Sequence, residues 1–227
     1  MTEFYVLEPD GGLFGIKWAY AENIEPVILG EVSDRCPICN RGIGLKPWLP
    51  PYKAKLSSAK PEKWGDFLWI GGTSLAVSKR IMDLYFQEEL SGIKSFTGPI
   101  EIVRYGTRKT GDVPIIPPEY YVIRVPWGGA NQDDIASGVN HERPEAIKCN
   151  YCRVGWSKRT QPRIIIEKNS WNGEDIFRPR GSFVQEMVSD KFKKILEKNN
   201  ATNIKLIPEN RYGYDEKRHP NRYINEE

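Results

Sequence analysis

The sequence predicts an α+β protein built from two tandem repeats, each a Cys-x-x-Cys knuckle followed by a strand–helix–strand unit. The first observation behind this prediction is that all four cysteines fall into two pairs, Cys36/Cys39 and Cys149/Cys152. The two pairs lie 113 residues apart in the chain. The second observation is that short motifs found after the first pair return after the second at a nearly constant offset.

The cysteine spacing predicts one shared metal site. A two-residue spacer lets a tight turn point both sulfurs at one ion, and four thiolates form the closed tetrahedral site typical of structural zinc. Arg35, Arg41, Lys148 and Arg153 flank the pairs, and these cations suit a Zn(Cys)4 centre with a formal charge of about −2. Two alternatives stay open, namely two separate redox pairs or a disulfide set in a secreted chain.

The repeated element is a capped helix between two strands. Ser78 and Ser189 lie 111 residues apart (189 − 78) and are candidate N-caps. Apolar residues follow both serines with i, i+3, i+4 spacing, which predicts one buried stripe on each helix. β-Branched and aromatic residues predict the flanking strands at 66–70, 93–96, 175–177 and 204–207.

The same residue preferences predict further strands outside the repeats. These strands cover residues 4–7, 13–18, 99–104, 120–125 and 163–167. The stretch 106–118 is rich in Gly and Pro and is the expected junction, so the two halves are residues 1–112 and 113–227, packed as one compact unit. Residues 128–145 are predicted to form a long loop, and a charged, poorly ordered tail is expected from residue 209.

Composition predicts a folded cytoplasmic protein. A chain of 227 residues that is 39% hydrophobic and 28% charged can bury a core. Its net charge of +3 is too balanced to indicate nucleic acid or an anionic membrane as partner. The N-terminus lacks the features of a signal peptide, and no apolar run approaches the ~20 residues of a spanning helix. Thiols stay reduced in the cytoplasm, where paired cysteines favour metal.

No catalytic constellation is evident, so we expect a protein that is not an enzyme. His141 and Glu142 precede Cys149 with the wrong spacing for the nucleoside-deaminase signature. The glycines after Cys39 disfavour the helix that a thioredoxin-like pair would open. The chain has 2 histidines, and we expect both His141 and His219 in surface loops. A metal-dependent enzyme would need an open coordination position, which four cysteines do not leave.

Together with the two knuckles, the segments Asp175–Arg180 and Val188–Phe192 resemble the double-CXXCG motif paralogous family first described in Myxococcus. The resemblance implies a cytoplasmic immunity protein, encoded beside a toxin that is delivered between neighbouring cells. The family's four cysteines map onto the four cysteines of this chain. Asn40 and Arg153 stand where the family has glycine, a residue that permits a left-handed turn.

The resemblance further implies a non-catalytic inhibitor whose partner is its cognate toxin and whose zinc is structural. Aromatic side chains dominate binding hot spots, although ordinary packing is an equally open interpretation of each aromatic residue here. The candidate toxin contacts are Trp127, Tyr120, Tyr121, Trp48 and Trp171.

The alternative function is a zinc-ribbon protein that binds nucleic acid. Cationic residues flank both knuckles, and an aromatic side chain is available to stack on bases. These residues are Arg35, Arg41, Lys148, Arg153, Lys158, Arg159 and, for stacking, Trp156. The balanced net charge argues against this alternative.

Overall fold

The structure is a computed structural model that describes residues 3–11, 17–31, 34–44, 46–71, 74–112, 115–139, 149–153, 163–182 and 185–212. These residues form a mixed α/β fold with two helices and many strands, in agreement with the predicted α+β class. Neither nine-residue helix could cross a bilayer, and no other helix in the described ranges could do so.

Two main sheets and two short ribbons contain the strands. The N-terminal sheet contains β2 (Ala21–Asn23), β7 (Lys53–Leu56), β8 (Phe67–Ile70), β9 (Ser74–Ser78), β10 (Ser95–Thr97), β11 (Glu101–Tyr105), β12 (Arg108–Lys109) and β13 (Tyr120–Arg124). The C-terminal sheet contains β1 (Phe4–Glu8), β14 (Trp127–Asn131), β15 (Ile176–Arg180), β16 (Met187–Ser189) and β17 (Lys205–Pro208). The ribbons pair β3 (Ile28–Leu29) with β6 (Trp48–Leu49) and β4 (Asp34–Arg35) with β5 (Gly42–Ile43). The helices are α1 (Lys79–Gln87) and α2 (Asp190–Lys198), and short 3₁₀ turns span Pro61–Lys63 and Thr110–Asp112.

The two sheets exchange strands across the middle of the chain. The first strand, β1, lies in the C-terminal sheet, where Phe4 pairs with Ser189 of β16. In the N-terminal sheet, β13 takes the corresponding place, and Tyr120 pairs with Ser78 of β9. A cut between residues 112 and 113 would therefore remove one strand from each sheet.

Five neighbouring strands follow the same order in both sheets. The C-terminal sheet has the order β14-β15-β16-β1-β17, and the N-terminal sheet includes β2-β8-β9-β13-β10. In both, the first two strands of the series are parallel and the remaining neighbours are antiparallel. The N-terminal sheet then continues beyond β2 with β7, β11 and β12.

Both predicted helix starts are confirmed. The Ser78 hydroxyl accepts the backbone N–H of Ile81, and the Ser189 hydroxyl accepts that of Phe192. Each cap of this kind stabilises a helix by about 1 kcal/mol. The predicted apolar stripes are also confirmed, because Ile81, Phe192 and their partners one turn later face the core.

One hydrophobic core joins the two sheets and the two helices. It contains Tyr5 and Val188 from the C-terminal sheet, Phe67 from the N-terminal sheet, Tyr85 from α1 and Phe192 from α2. The rings of Tyr85 and Phe192 meet edge to face at 6.4 Å. Burial of each large apolar side chain contributes about 1.5–3 kcal/mol, so this shared core is a main source of cohesion between the halves.

Two aspartates bind the halves to each other reciprocally. Asp66 accepts hydrogen bonds from Ser78 Oγ at 3.0 Å and from Thr202 Oγ1 at 2.7 Å. Asp175 likewise accepts from Ser189 Oγ at 2.8 Å and from Ser91 Oγ at 3.1 Å. Asp66 thus contacts the N-cap serine of α1 and the segment that follows α2. Asp175 contacts the N-cap serine of α2 and the segment that follows α1.

Several strand predictions needed correction. Residues 128–131, predicted as loop, belong to strand β14, and residues 163–167 form only an isolated bridge between Ile166 and Gln132. Gly129 in β14 makes room for the neighbouring strand β15, since a Cβ there would lie 2.5 Å from Phe177 Cβ. Residues 13–16 of one predicted strand, residues 140–145 of the predicted loop and the tail from 213 lie outside the described residues.

Replacement of Asp66 by alanine should destabilise the fold by about 2–4 kcal/mol, because it leaves buried donors unpaired. Urea unfolding at pH 7 measures this loss. The matched control is Asp83→Ala on α1, whose carboxylate is 58% exposed and pairs with Lys79 at the surface, and we expect a loss of at most ~0.5 kcal/mol there. Equal losses for the two variants would contradict the role given to Asp66.

The Asp66 contribution should also depend on pH. Burial opposes ionisation of Asp66, but hydrogen bonds from Arg80 and Thr202 outweigh it and hold the pKa of the carboxyl below its ordinary value. The stabilisation is therefore present above the unfolded pKa of about 3.9 and is lost as pH falls through the folded pKa. The stability difference between the wild type and Asp66→Asn should shrink as pH is lowered toward that range.

Candidate metal centre

The first cysteine knuckle sits on the β4–β5 ribbon. The ribbon closes through a hydrogen bond from the Cys36 N–H to the Arg41 carbonyl at 2.9 Å. Within the turn, the Asn40 N–H donates to the Cys36 carbonyl at 2.9 Å. The turn needs a left-handed residue at its end, and Asn40 adopts this conformation with φ of 56°.

The second knuckle repeats this geometry. The Arg153 N–H donates to the Cys149 carbonyl at 2.9 Å, and Arg153 has φ of 53°. Arginine adopts this left-handed conformation less readily than glycine or asparagine does. Its guanidinium gains a compensating contact, because Nη1 donates to the Gln132 carbonyl at 2.5 Å.

The four cysteine sulfurs converge on one point. All four lie within 4.8 Å of one another. Cys36 Sγ is 3.7 Å from Cys149 Sγ, and Cys39 Sγ is 3.8 Å from Cys152 Sγ. Four sulfurs at the usual zinc–thiolate length of about 2.3 Å would stand roughly 3.8 Å apart in a tetrahedron. The predicted ligands Cys36, Cys39, Cys149 and Cys152 thus lie within metal-binding distance in an arrangement compatible with zinc.

The centre is mostly shielded from water. Cys36, Cys149 and Cys152 are buried and pack with Ile43, whereas Cys39 is exposed. The Cys149 thiol is poised to ionise, because the backbone N–H of Cys152 favours its anion and lowers its pKa to about 7. The thiolate is the form that binds metal. Four thiolates in this shell could hold one divalent cation and would leave it no open position.

Two of the cationic residues predicted to surround the centre, Arg35 and Arg153, donate to backbone carbonyls. Arg35 Nη1 donates to the Asn40 carbonyl at 3.3 Å, so it supports the turn of the first knuckle. Aromatic residues that the sequence did not associate with the metal form an outer layer. Trp127 packs against the cysteines and meets Tyr151 edge to face at 6.1 Å, and the Arg180 guanidinium lies 4.5 Å from the centre of the Tyr151 ring.

The predicted partner contacts divide into core and partly exposed residues. Tyr120 is 0% exposed, with its hydroxyl bonded to the Gly65 carbonyl, and Trp48 is 4% exposed. Both therefore belong to the core, which corrects their assignment as partner contacts. Trp127, Tyr121 and Trp171 are partly exposed. Trp127 faces the cysteines, and the Trp171 indole donates to the Glu174 carbonyl.

Other residues weighed from the sequence lie outside the described ranges. These are His141, Glu142, Lys148, Trp156, Lys158, Arg159 and His219. The sequence analysis did not single out the exposed apolar residues of the β3–β6 ribbon, Ile28, Leu29 and Leu49. Single exposed apolar residues have no distinctive sequence pattern, so these three could not be identified from their sequence neighbours.

The fold and site together define a mixed α/β protein with a four-cysteine centre. Comparison with models of known protein families gives no match, and comparison with curated proteins gives none either.

Replacement of Cys149 by serine should remove the bound metal. Native mass spectrometry should show one divalent ion per chain in the wild type. Removal of the ion by a chelator should lower the free energy of unfolding by about 4 kcal/mol, relative to protein with free metal at a thousand times the Kd of the metal. The control is Ile38→Ser, which alters a 72% exposed residue of the same knuckle without touching a ligand. Metal retained by Cys149→Ser, or lost equally by Ile38→Ser, would contradict the four-cysteine site.

Proposed function

We propose that the chain is a non-catalytic cytoplasmic immunity protein that binds and neutralises a cognate bacterial toxin, with structural zinc on its four cysteines. The observation that carries the proposal is the closed set of sulfurs, with pairs separated by 3.7 and 3.8 Å. Four thiolates fill the coordination shell of a tetrahedral ion and leave no site for substrate or water. Such a centre favours a scaffold over a catalyst.

The conformation of the two knuckles adds support. In the family pattern that this chain resembles, glycine follows each Cys-x-x-Cys pair. Asn40 and Arg153 occupy those positions with φ of 56° and 53°, in the region that glycine enters most readily. The departures from glycine are therefore compatible with the same turn, and the resemblance to a family of toxin-immunity proteins stands as the reason for naming a toxin as partner.

We further propose that the fold consists of two tandem repeats that exchange their first strands. The shared order of five strands in both sheets supports this proposal. The equivalent caps at Ser78 and Ser189 support it, as do the reciprocal bonds of Asp66 and Asp175. In this arrangement one zinc ion, with one knuckle from each repeat, would clamp the two repeats together.

The zinc-ribbon alternative has less support. Arg35 and Arg153 are two of its candidate phosphate contacts, and each donates to a backbone carbonyl. A guanidinium held in this way has fewer donors available for a phosphate.

Co-expression tests the proposed function. The products of the genes adjacent to this one are expressed singly in a laboratory bacterium, with and without this protein. We expect one product to arrest growth, the wild-type protein to restore it, and Cys149→Ser to fail. Arrest that the protein does not relieve, or no arrest by either product, would contradict the proposal. A salt-sensitive gel shift with random DNA or RNA would instead favour the zinc ribbon.

A further inference from the structure

A groove of about 180 Å³ lies between the N-terminal sheet and the β3–β6 ribbon. Its sheet side carries the polar residues Ser74, Ser95, Thr97 and Arg124 beside the apolar residues Leu75, Val122, Ile123 and Val125. Ser95 pairs with Arg124 across β10 and β13, and alternate residues of a strand share a face, so Ser95, Thr97 and Arg124 form a polar patch next to Val122. A sheet face covered by another layer is usually apolar. Packing of the ribbon on the sheet therefore does not account for the polar residues of this patch.

The groove is lined by cations and contains no carboxylate. Lys46, Arg124 and Arg178 line it, whereas no Asp or Glu does. Arg178 is held by Glu186 and Arg124 lies 3.6 Å from Asp34, but both acids lie outside the groove lining. Lys46 is exposed and makes no ion pair with any residue in the described ranges. Because both arginines are paired with acids, the attraction of the groove for an anion comes chiefly from Lys46.

The other wall is aromatic. Trp48 and Tyr52 line it, and their rings meet edge to face at 5.1 Å. Trp48 is 4% exposed, and its indole nitrogen has no hydrogen-bond partner among the described residues. A buried N–H donor without an acceptor is costly. Trp48 and Tyr52 thus supply the aromatic surface against which the apolar part of a ligand would pack.

The size of the groove restricts the ligand. A cavity of about 150 Å³ is known to hold benzene, so 180 Å³ accommodates one ring with a small substituent. We propose that this groove binds a single-ring aromatic carboxylate, with the ring against Trp48 and Tyr52 and the carboxylate toward Lys46 and Arg124.

The groove is specific to one half of the molecule. The corresponding face of the C-terminal sheet is closed by a separate core cluster that includes Phe4, Val6, Ile166 and Phe177. In the described ranges, the C-terminal sheet has no covering ribbon like β3–β6. The strand order that both sheets share therefore does not by itself produce the groove. This inference is independent of the proposed toxin partner.

Titration of the full-length protein with benzoate, followed by two-dimensional NMR, tests the proposal. We expect saturable shifts at Ser95 and Thr97 with a Kd on the order of 1 mM, as befits so small a ligand. Neutral benzamide and acetate, which each lack one half of the ligand, should bind at least roughly tenfold more weakly. These two probes separate the contribution of the charge from that of the ring.

Variants locate the binding site. Lys46→Met should weaken benzoate binding roughly fivefold, the size of one exposed ion pair, and Ser95→Leu should abolish it by filling the groove. Lys109→Met removes an exposed cation from β12, outside the groove lining, and should leave the Kd unchanged. The unfolding midpoint of each variant confirms that it is folded. Absence of saturable binding, equal binding of benzamide, or a Kd unaffected by both Lys46→Met and Ser95→Leu would overturn the proposal.

Discussion

Four cysteine sulfurs within reach of a single ion are the constraint on which the arrangement of this molecule depends. The two pairs lie 113 residues apart, yet each sulfur of one pair stands within 4 Å of a sulfur of the other. Ionised thiols this close repel one another, and a divalent cation converts that repulsion into attraction. A metal ion bound there would therefore fix the position of the knuckle on the β4–β5 ribbon relative to the knuckle at Cys149–Arg153.

The rest of the fold ties the halves together by reciprocal contacts. Each half supplies the first strand of its own sequence to the sheet of the other, and one hydrophobic core includes residues from both sheets and both helices. Asp66 and Asp175 add charged hydrogen bonds in equivalent positions, each to a segment of the opposite half. Neither half could keep these contacts alone, so we infer that the chain folds as one unit.

Local signals in the sequence predicted the helices and the cysteine cluster, whereas long-range pairing escaped prediction. Ser78 and Ser189 could be recognised because a cap and its apolar stripe lie within a few residues. The exchange of β1 and β13 could not, since nothing in residues 4–8 distinguishes a partner in β16 from one in β9. For Tyr120 and Trp48 the sequence left partner contact and core packing both open, because aromatic residues are common in hot spots and in cores alike, and only tertiary contacts separate the two.

X-ray absorption spectroscopy of the purified protein tests the central claim most directly. We expect zinc at one ion per chain, surrounded by four sulfur atoms at about 2.3 Å and no lighter ligand. Oxygen or nitrogen in the shell, fewer than four sulfurs, or an absence of metal in protein purified without chelator would contradict the closed thiolate centre. In any of those cases, the inhibitor scaffold proposed for this chain would lose its main support.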